Sequence, residues 1–331
     1  MSDKRIELHL HLEGAAPPDL IRRLAEEKHQ RLVGVFDAQG RFAFRDFGHF
    51  LQVYEAATSV LTTPQDYARL VTAVAEDLAA QQVIYGEVFV SPAFCGNHDV
   101  AAWRDYLAAM QEAATQAEAR HGVTLRGIVT AIRHMGPEVA KQAAHCAAET
   151  AGDWIVGFGM GGDERMGKPG DFAWSFDLAR EAGLGLTVHA GEFGGPDSVR
   201  DALDDLRVSR IGHGVRAAED HALIDRLAES GTVLEVCPGS NLKLGLFPDW
   251  TSHPIDQLRR AGVAVTVSTD DPPFFHTTLS REYERLAEVF DWQAEDFQAI
   301  NVTAAQAAFC DAETRARLLK LLETNDDRDP T

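Results

Sequence analysis

The chain repeats one unit: a short apolar run, a helix-like stretch, a glycine, then the next apolar run. Eight runs read as buried strands, at 5–12, 83–90, 123–132, 154–160, 184–190, 209–214, 232–238 and 263–270. Gly183, Gly231 and Gly262, in "REAGLGL", "LAESGTVL" and "LRRAGVAV", stand where a left-handed residue ends a helix just before a strand. Strand, helix and strand in repetition mean parallel strands joined by crossover helices. Eight such units favour a closed (β/α)8 barrel over an open doubly wound sheet. No GxGxxG follows the first strand, as a dinucleotide-binding sheet would require. The expected fold class is therefore α/β, a (β/α)8 TIM barrel.

One connection is out of proportion. Residues 14–82 are much longer than a single crossover and hold several helical patterns, among them "DFGHFLQVYEAATSVL". An excursion of that size after the first strand is expected to sit over the barrel mouth as a helical lid. No low-complexity linker interrupts the chain, so residues 1–331 are expected to form one domain with a lid insertion at about 14–82. The region from about residue 279 reads as helical, and its last residues, "NDDRDPT", are expected to fray.

Composition narrows the setting. Apolar residues make up 45% and charged residues 25%, the balance of a soluble globular protein. A formal net charge of −20 argues against a nucleic-acid or anionic-membrane partner. Cys95, Cys146, Cys237 and Cys310 form no CxxC pair, which suits a reducing compartment and offers neither a disulfide framework nor a thiolate zinc site. The N-terminus does not read as a signal peptide, and no apolar run reaches the length of a membrane span. A soluble, cytoplasmic protein is expected; the sequence assigns no oligomeric state.

In a (β/α)8 barrel the working residues lie at the carboxyl ends of the strands. Those ends carry His9 and His11 on the first strand, His189 on the fifth, His213 on the sixth, and Asp270 with Asp271 on the eighth; Glu192 follows the fifth by two residues. The alternation in "IELHLHLEGA" would ordinarily turn its polar row to water, but these neighbours turn it toward the barrel mouth. His9 and His11 share a strand face about 7 Å apart at the backbone, close enough for both imidazoles to meet one ion. His189 and Asp270 complete a shell of three nitrogens and one carboxylate, a donor set suited to one catalytic Zn²⁺ per chain. His29, His121 and His145, in helical or loop contexts, are expected at the surface.

"HLHLEGA", "TVHAGE", "RIGHG", "EVCPGSN" and "STDDP", in that order, resemble the metal-dependent adenosine deaminase family of the amidohydrolase superfamily. "FLQVYEAATSV" and "GMGGDE" extend the resemblance, which runs to about residue 312. It implies a zinc-dependent barrel that deaminates adenosine and 2′-deoxyadenosine to inosine and deoxyinosine, with a purine nucleoside or base as ligand. It implies that His9, His11, His189 and Asp270 bind the metal. Glu192 would then protonate purine N1, and His213 would orient the attacking water and help deprotonate it. Asp271 would accept a hydrogen bond from that water and contact N7. Substrate contacts are implied for His11, Glu13, Gly162 and Asp271, with the Gly162 backbone amide meeting N3.

Two positions depart from the nucleoside deaminases. Glu13 stands where they usually carry aspartate, at the place expected to meet the ribose 5′-hydroxyl, and Gly159 replaces another aspartate; relatives acting on free adenine tend to carry the glutamate. Adenine, or a 5′-modified nucleoside such as aminodeoxyfutalosine, is therefore the alternative substrate. A binuclear site would need a lysine or carboxylate at the end of the fourth strand, and "WIVGFGM" has neither. A barrel that merely holds a metal would not need Glu192 and His213.

Overall fold

Each of the eight apolar runs becomes a strand in the computed structural model, which describes residues 4–323. The strands are β1 (Arg5–His11), β2 (Val83–Val90), β3 (Thr124–Ile132), β4 (Ile155–Gly161), β5 (Gly185–Ala190), β6 (Arg210–His213), β7 (Val233–Val236) and β8 (Val265–Val267). They pair in parallel and in sequence order. The N–H of His11 donates to the Asp270 carbonyl at 2.9 Å, and the N–H of Asp270 donates to the His9 carbonyl at 3.1 Å. Those bonds tie the chain just beyond β8 back to β1, so the sheet is a TIM barrel. The segment "NDDRDPT" lies outside the described residues.

The glycines act as their positions require. Gly183, Gly231 and Gly262 have φ of +80°, +67° and +87°, and the strand starts within a few residues of each. Both faces of β1 are buried. Ile6 and Leu8 face outward onto Ala304, Ala305 and Leu318 of the C-terminal helices, whereas Glu7 and His9 are 1% and 0% exposed inside the barrel. A parallel strand covered on both faces has no wet side, and the polar row of β1 is therefore interior.

The long first connection divides into three helices: α1 (Pro18–Glu27), α2 (Phe47–Thr58) and α3 (Pro64–Ala80). Helix α3 starts at a capping box between Thr63 and Asp66 and packs on β2 and on α4 (Val100–His121). It thus belongs to the outer ring, as the crossover into β2. Helix α2 instead brings Phe47, Phe50, Leu51 and Tyr54 to a pocket at the carboxyl end of the barrel. Among the described residues no helix is long and apolar enough to cross a membrane.

Candidate active site

Four side chains from three strand ends converge at the bottom of that pocket. His9 Nε2 lies 3.1 Å from His189 Nε2, and His11 Nε2 lies 3.2 Å from the same nitrogen. Asp270 Oδ1 is 3.2 Å from His11 Nε2 and 3.7 Å from His9 Nε2. All four donor atoms lie within 4.8 Å of one another. Nitrogens packed this closely need a cation between them or protons shared among them. The far ring nitrogens decide which. His9 Nδ1 donates to Glu235 Oε2 at 2.8 Å, and His189 Nδ1 donates to the Met160 carbonyl at 3.0 Å. With Nδ1 committed as N–H, a neutral ring turns its Nε2 lone pair inward. Burial pushes the His9 pKa down, but the hydrogen bonds to Asp270 and Glu235 outweigh it and leave it above the ordinary value. Burial, together with the neighbouring His9, His213 and His11, holds the His189 pKa well below its usual value, so the ring is neutral. Three imidazoles and one carboxylate fit a single divalent ion with a position left open.

Behind His9 the barrel interior is charged. Glu235 Oε1 accepts from Thr187 Oγ1 at 3.0 Å and from Arg210 Nε at 2.6 Å, and Arg210 Nη2 pairs with Glu87 Oε2 at 2.6 Å. Burial pushes the Glu235 carboxyl up, but the Arg210 charge and the His9 hydrogen bond outweigh it and leave it below the ordinary value.

Around the quartet stand Glu192, His213 and Asp271, each 4% exposed or less. His213 Nε2 lies 3.7 Å from Glu192 Oε2 and 3.9 Å from Asp270 Oδ2. A hydrogen-bond chain assigns the tautomer of His213. The Ile255 N–H donates to His253 Nδ1 at 3.3 Å, and His253 Nε2 donates to Asn241 Oδ1 at 3.1 Å. Asn241 Nδ2 donates in turn to His213 Nδ1 at 3.1 Å. Burial lowers the His213 pKa to about 4, so the ring is neutral and its one proton sits on Nε2, facing the pocket. The backbone is strained to aim these groups. His213 and Asp270 have φ of +61° and +67°, a region costing an L residue roughly 1–2 kcal/mol.

The two acids are held neutral. Burial, then repulsion from Asp270, Glu164 and Asp271, raises the Glu192 pKa well above a normal carboxyl. Burial and the adjacent Asp270 do the same for Asp271. Asp271 sits directly on Gly14, where a Cβ would fall 1.6 Å from its Oδ1, so no other residue fits at position 14 as the chain stands. Glu13 is buried and accepts a hydrogen bond from Tyr67 OH at 3.1 Å; burial lifts its pKa to about 7. Gly162, with φ +96°, forms the pocket wall beside His134. The far wall is aromatic, and Phe47 of α2 meets Phe193 across a ring-centroid distance of 4.4 Å. The pocket encloses about 780 Å³ with its mouth included, the size of a small-molecule site.

The structure brings His9, His11, His189, Asp270, Glu192, His213, Asp271, Glu13 and Gly162 to one pocket. His29, His121 and His145 are exposed. Glu235, Asn241 and His253, which support the site from behind, were not singled out in the sequence. A carboxylate inside the apolar run "TVLEVCP" was the available signal for Glu235. For His253 no signal stands out.

The adenosine deaminase family profile matches residues 4–325. The chain belongs to the adenosine deaminase family. Within the family, a protein from Rhizobium leguminosarum bv. trifolii named adenine deaminase is 49% identical over 319 residues, covering 96% of this chain and 98% of its own. A protein of the same name from Agrobacterium fabrum is 47% identical over 318 residues, covering 96% and 97%. Among solved structures, the adenine deaminase of Arthrobacter aurescens superposes with a TM-score of 0.89 at 29% identity, covering 97% of this chain and 98% of its own. An amidohydrolase from Burkholderia ambifaria, solved with bound zinc, gives 0.85 at 27% identity, covering 96% and 89%.

These relatives overturn the expectation of an adenosine deaminase acting on adenosine and deoxyadenosine, because near-full-length relatives at this identity are named for the free base. The reason is chemical. The expectation followed HxH, HAGE, GHG and TDDP, motifs that the resemblance ties to deamination at C6, a position that base and nucleoside share. The departure at Glu13 was the feature that had pointed to the alternative.

Proposed function

We propose that this protein is a zinc-dependent adenine deaminase, converting adenine and water to hypoxanthine and ammonia. The observation that carries the base over the nucleoside is Glu13. Its buried carboxyl, steadied by Tyr67, is a hydrogen-bond acceptor in the pocket wall. A free base has a ring N–H to donate, whereas N9 of a nucleoside carries ribose instead. The adenine deaminase names of the long, similar relatives agree with this reading.

His9, His11, His189 and Asp270 would hold the ion, and zinc is favoured by the three imidazoles and by the zinc-bound relative. When bound, such an ion brings the pKa of a coordinated water toward neutrality and supplies the nucleophile. The remaining work belongs to the chain. Glu192, protonated because it is buried among acids, donates to ring N1 and makes C6 electrophilic. Asp271, with the burial and repulsion that keep it protonated offset by a divalent ion held through Asp270, has its carboxylate free to take the proton lost by the water. His213 donates its Nε2–H toward the attacking oxygen and steadies the charge developing there. A proton then passes to the amine, which leaves as ammonia. The Gly162 backbone is assigned to the purine edge at N3.

A panel of adenine, adenosine, deoxyadenosine and a 5′-substituted nucleoside, followed by ultraviolet absorbance on one preparation, tests the proposal. Adenine should be turned over at least about 100-fold more efficiently than any nucleoside; a nucleoside preferred over adenine would defeat it. Glu192→Gln should keep the metal and lose roughly 10²–10⁴ in rate.

A further inference from the structure

The segment that carries Glu192 has no helix or strand of its own to hold it. Four consecutive backbone N–H groups of this segment nevertheless converge on one side chain. Glu164 Oε1 accepts from the Gly191 N–H at 2.6 Å. Its Oε2 accepts from the N–H groups of Glu192, Phe193 and Gly194 at 3.0, 2.7 and 2.9 Å. The Ser198 hydroxyl donates to Oε1 as well. Successive amides pointing into one concavity form a nest for an anion, and here the chain fills the nest with its own carboxylate.

Glu164 is itself anchored. Arg133, just after β3, donates from Nη1 to the Glu164 carbonyl at 3.1 Å and from Nη2 to the His189 carbonyl at 3.0 Å. One guanidinium therefore ties the loop after β4 to the strand that leads into residues 191–194. Glu164 is 5% exposed, and burial pushes its pKa up. The Ser198 hydroxyl, the Gly194 and Gly191 amides and the Arg133 charge outweigh burial and hold it below the ordinary value. It is an anion at neutral pH.

We propose that Glu164 is a positioning residue for deamination: by capping the amides of residues 191–194 it fixes the Glu192 carboxyl at the place where purine N1 binds. This rests on the reading of Glu192 as the N1 acid. A proton donor must sit within hydrogen-bond reach of its target, and a displacement of about 1 Å can cost on the order of 10²-fold in rate. Five donors on one carboxylate leave residues 191–194 little freedom for such a displacement.

The experiment is a double-mutant cycle on adenine turnover with Glu164→Gln, Glu192→Gln and the pair, with zinc per chain and KM measured on each. Glu164→Gln should lower kcat on the order of 10²-fold with zinc content and KM little changed. Added to Glu192→Gln it should cost no more than about threefold, because the group it positions is already gone. A loss as large in the Glu192→Gln background as in the wild type would overturn the inference, as would wild-type kcat in Glu164→Gln. Gly194→Ala gives a second route if Glu164→Gln does not fold. Its Cβ would fall 2.5 Å from Glu164 Oε1 and disturb the cap from the other side, and the same pattern is expected. Wild-type turnover in Glu192→Gln would overturn this inference together with the reading on which it rests.

Discussion

Glu235 Oε2 accepts a hydrogen bond at 2.8 Å from Nδ1 of His9, both side chains being fully buried. The contact orients the His9 ring and makes its inward nitrogen more basic. Glu235→Gln keeps the size and one acceptor but removes the charge. It should weaken zinc binding about 10- to 100-fold, as loss of an outer partner of a ligating histidine does elsewhere. Competition with a chelator of known affinity measures this, and unchanged affinity would show that Glu235 serves Arg210 and Thr187 rather than the metal site.

That contact marks the limit of what the sequence discloses. The barrel is legible because a glycine that ends a helix and a strand that follows are both local events, visible at Gly183, Gly231 and Gly262. The quartet is legible because barrel topology gathers strand ends, so His9, His189 and Asp270 can be brought together without any distance information. Glu87, Arg210 and Glu235 are not, because a charge in a strand declares neither its partner nor its burial. The insertion at 14–82 shows the same limit, since helical periodicity in α3 does not say whether it packs over the mouth or, as found, on β2 and α4. The only sequence feature that pointed toward the free base was one extra methylene at Glu13, set against motifs shared with the nucleoside deaminases.

Asn241 sets the direction of the hydrogen bond to His213, so reversing its chemistry should reverse the tautomer. In Asn241→Asp the new carboxylate accepts from His213 Nδ1 and leaves a lone pair on Nε2, where the wild type presents N–H. The stabilising donor is lost, and kcat should fall by roughly 10²–10³-fold with zinc content unchanged. The carboxylate should also raise the His213 pKa. Asn241→Ala, which leaves the ring free to adopt either tautomer, should be the milder variant. Equal kcat in all three proteins would contradict the assignment.

Glu282, on the helix Leu279–Phe290, is fully buried and accepts from the Gly239 N–H at 2.9 Å and from the Thr277 hydroxyl. Burial lifts its pKa to about 7, against the lowering effect of those bonds. Between the unfolded value, about 4.3, and the folded one the native state binds more protons than the unfolded state, so this group's contribution to stability falls as pH rises through that window. Glu282→Gln removes the titration and keeps the shape. The stability of the variant relative to wild type should improve by about 4 kcal/mol between pH values below and above the window. Urea unfolding at several pH values measures it, and a pH-independent difference would mean that Glu282 folds with its charge.

If Glu13 reads the ring N–H of a free base, methylation at that nitrogen should defeat binding without touching C6. Wild-type enzyme should therefore prefer adenine to 9-methyladenine by a factor on the order of 10² or more, since a buried acceptor left without its donor is costly. In Glu13→Ala the acceptor is gone and the pocket gains room, so adenine should lose efficiency while 9-methyladenine does not, and the ratio should collapse toward one. Tyr67→Phe, which removes only the bond that steadies the carboxyl, should fall between them. If wild-type enzyme deaminates the two purines equally well, Glu13 does not contact N9 and the preference for the base must come from another part of the pocket wall.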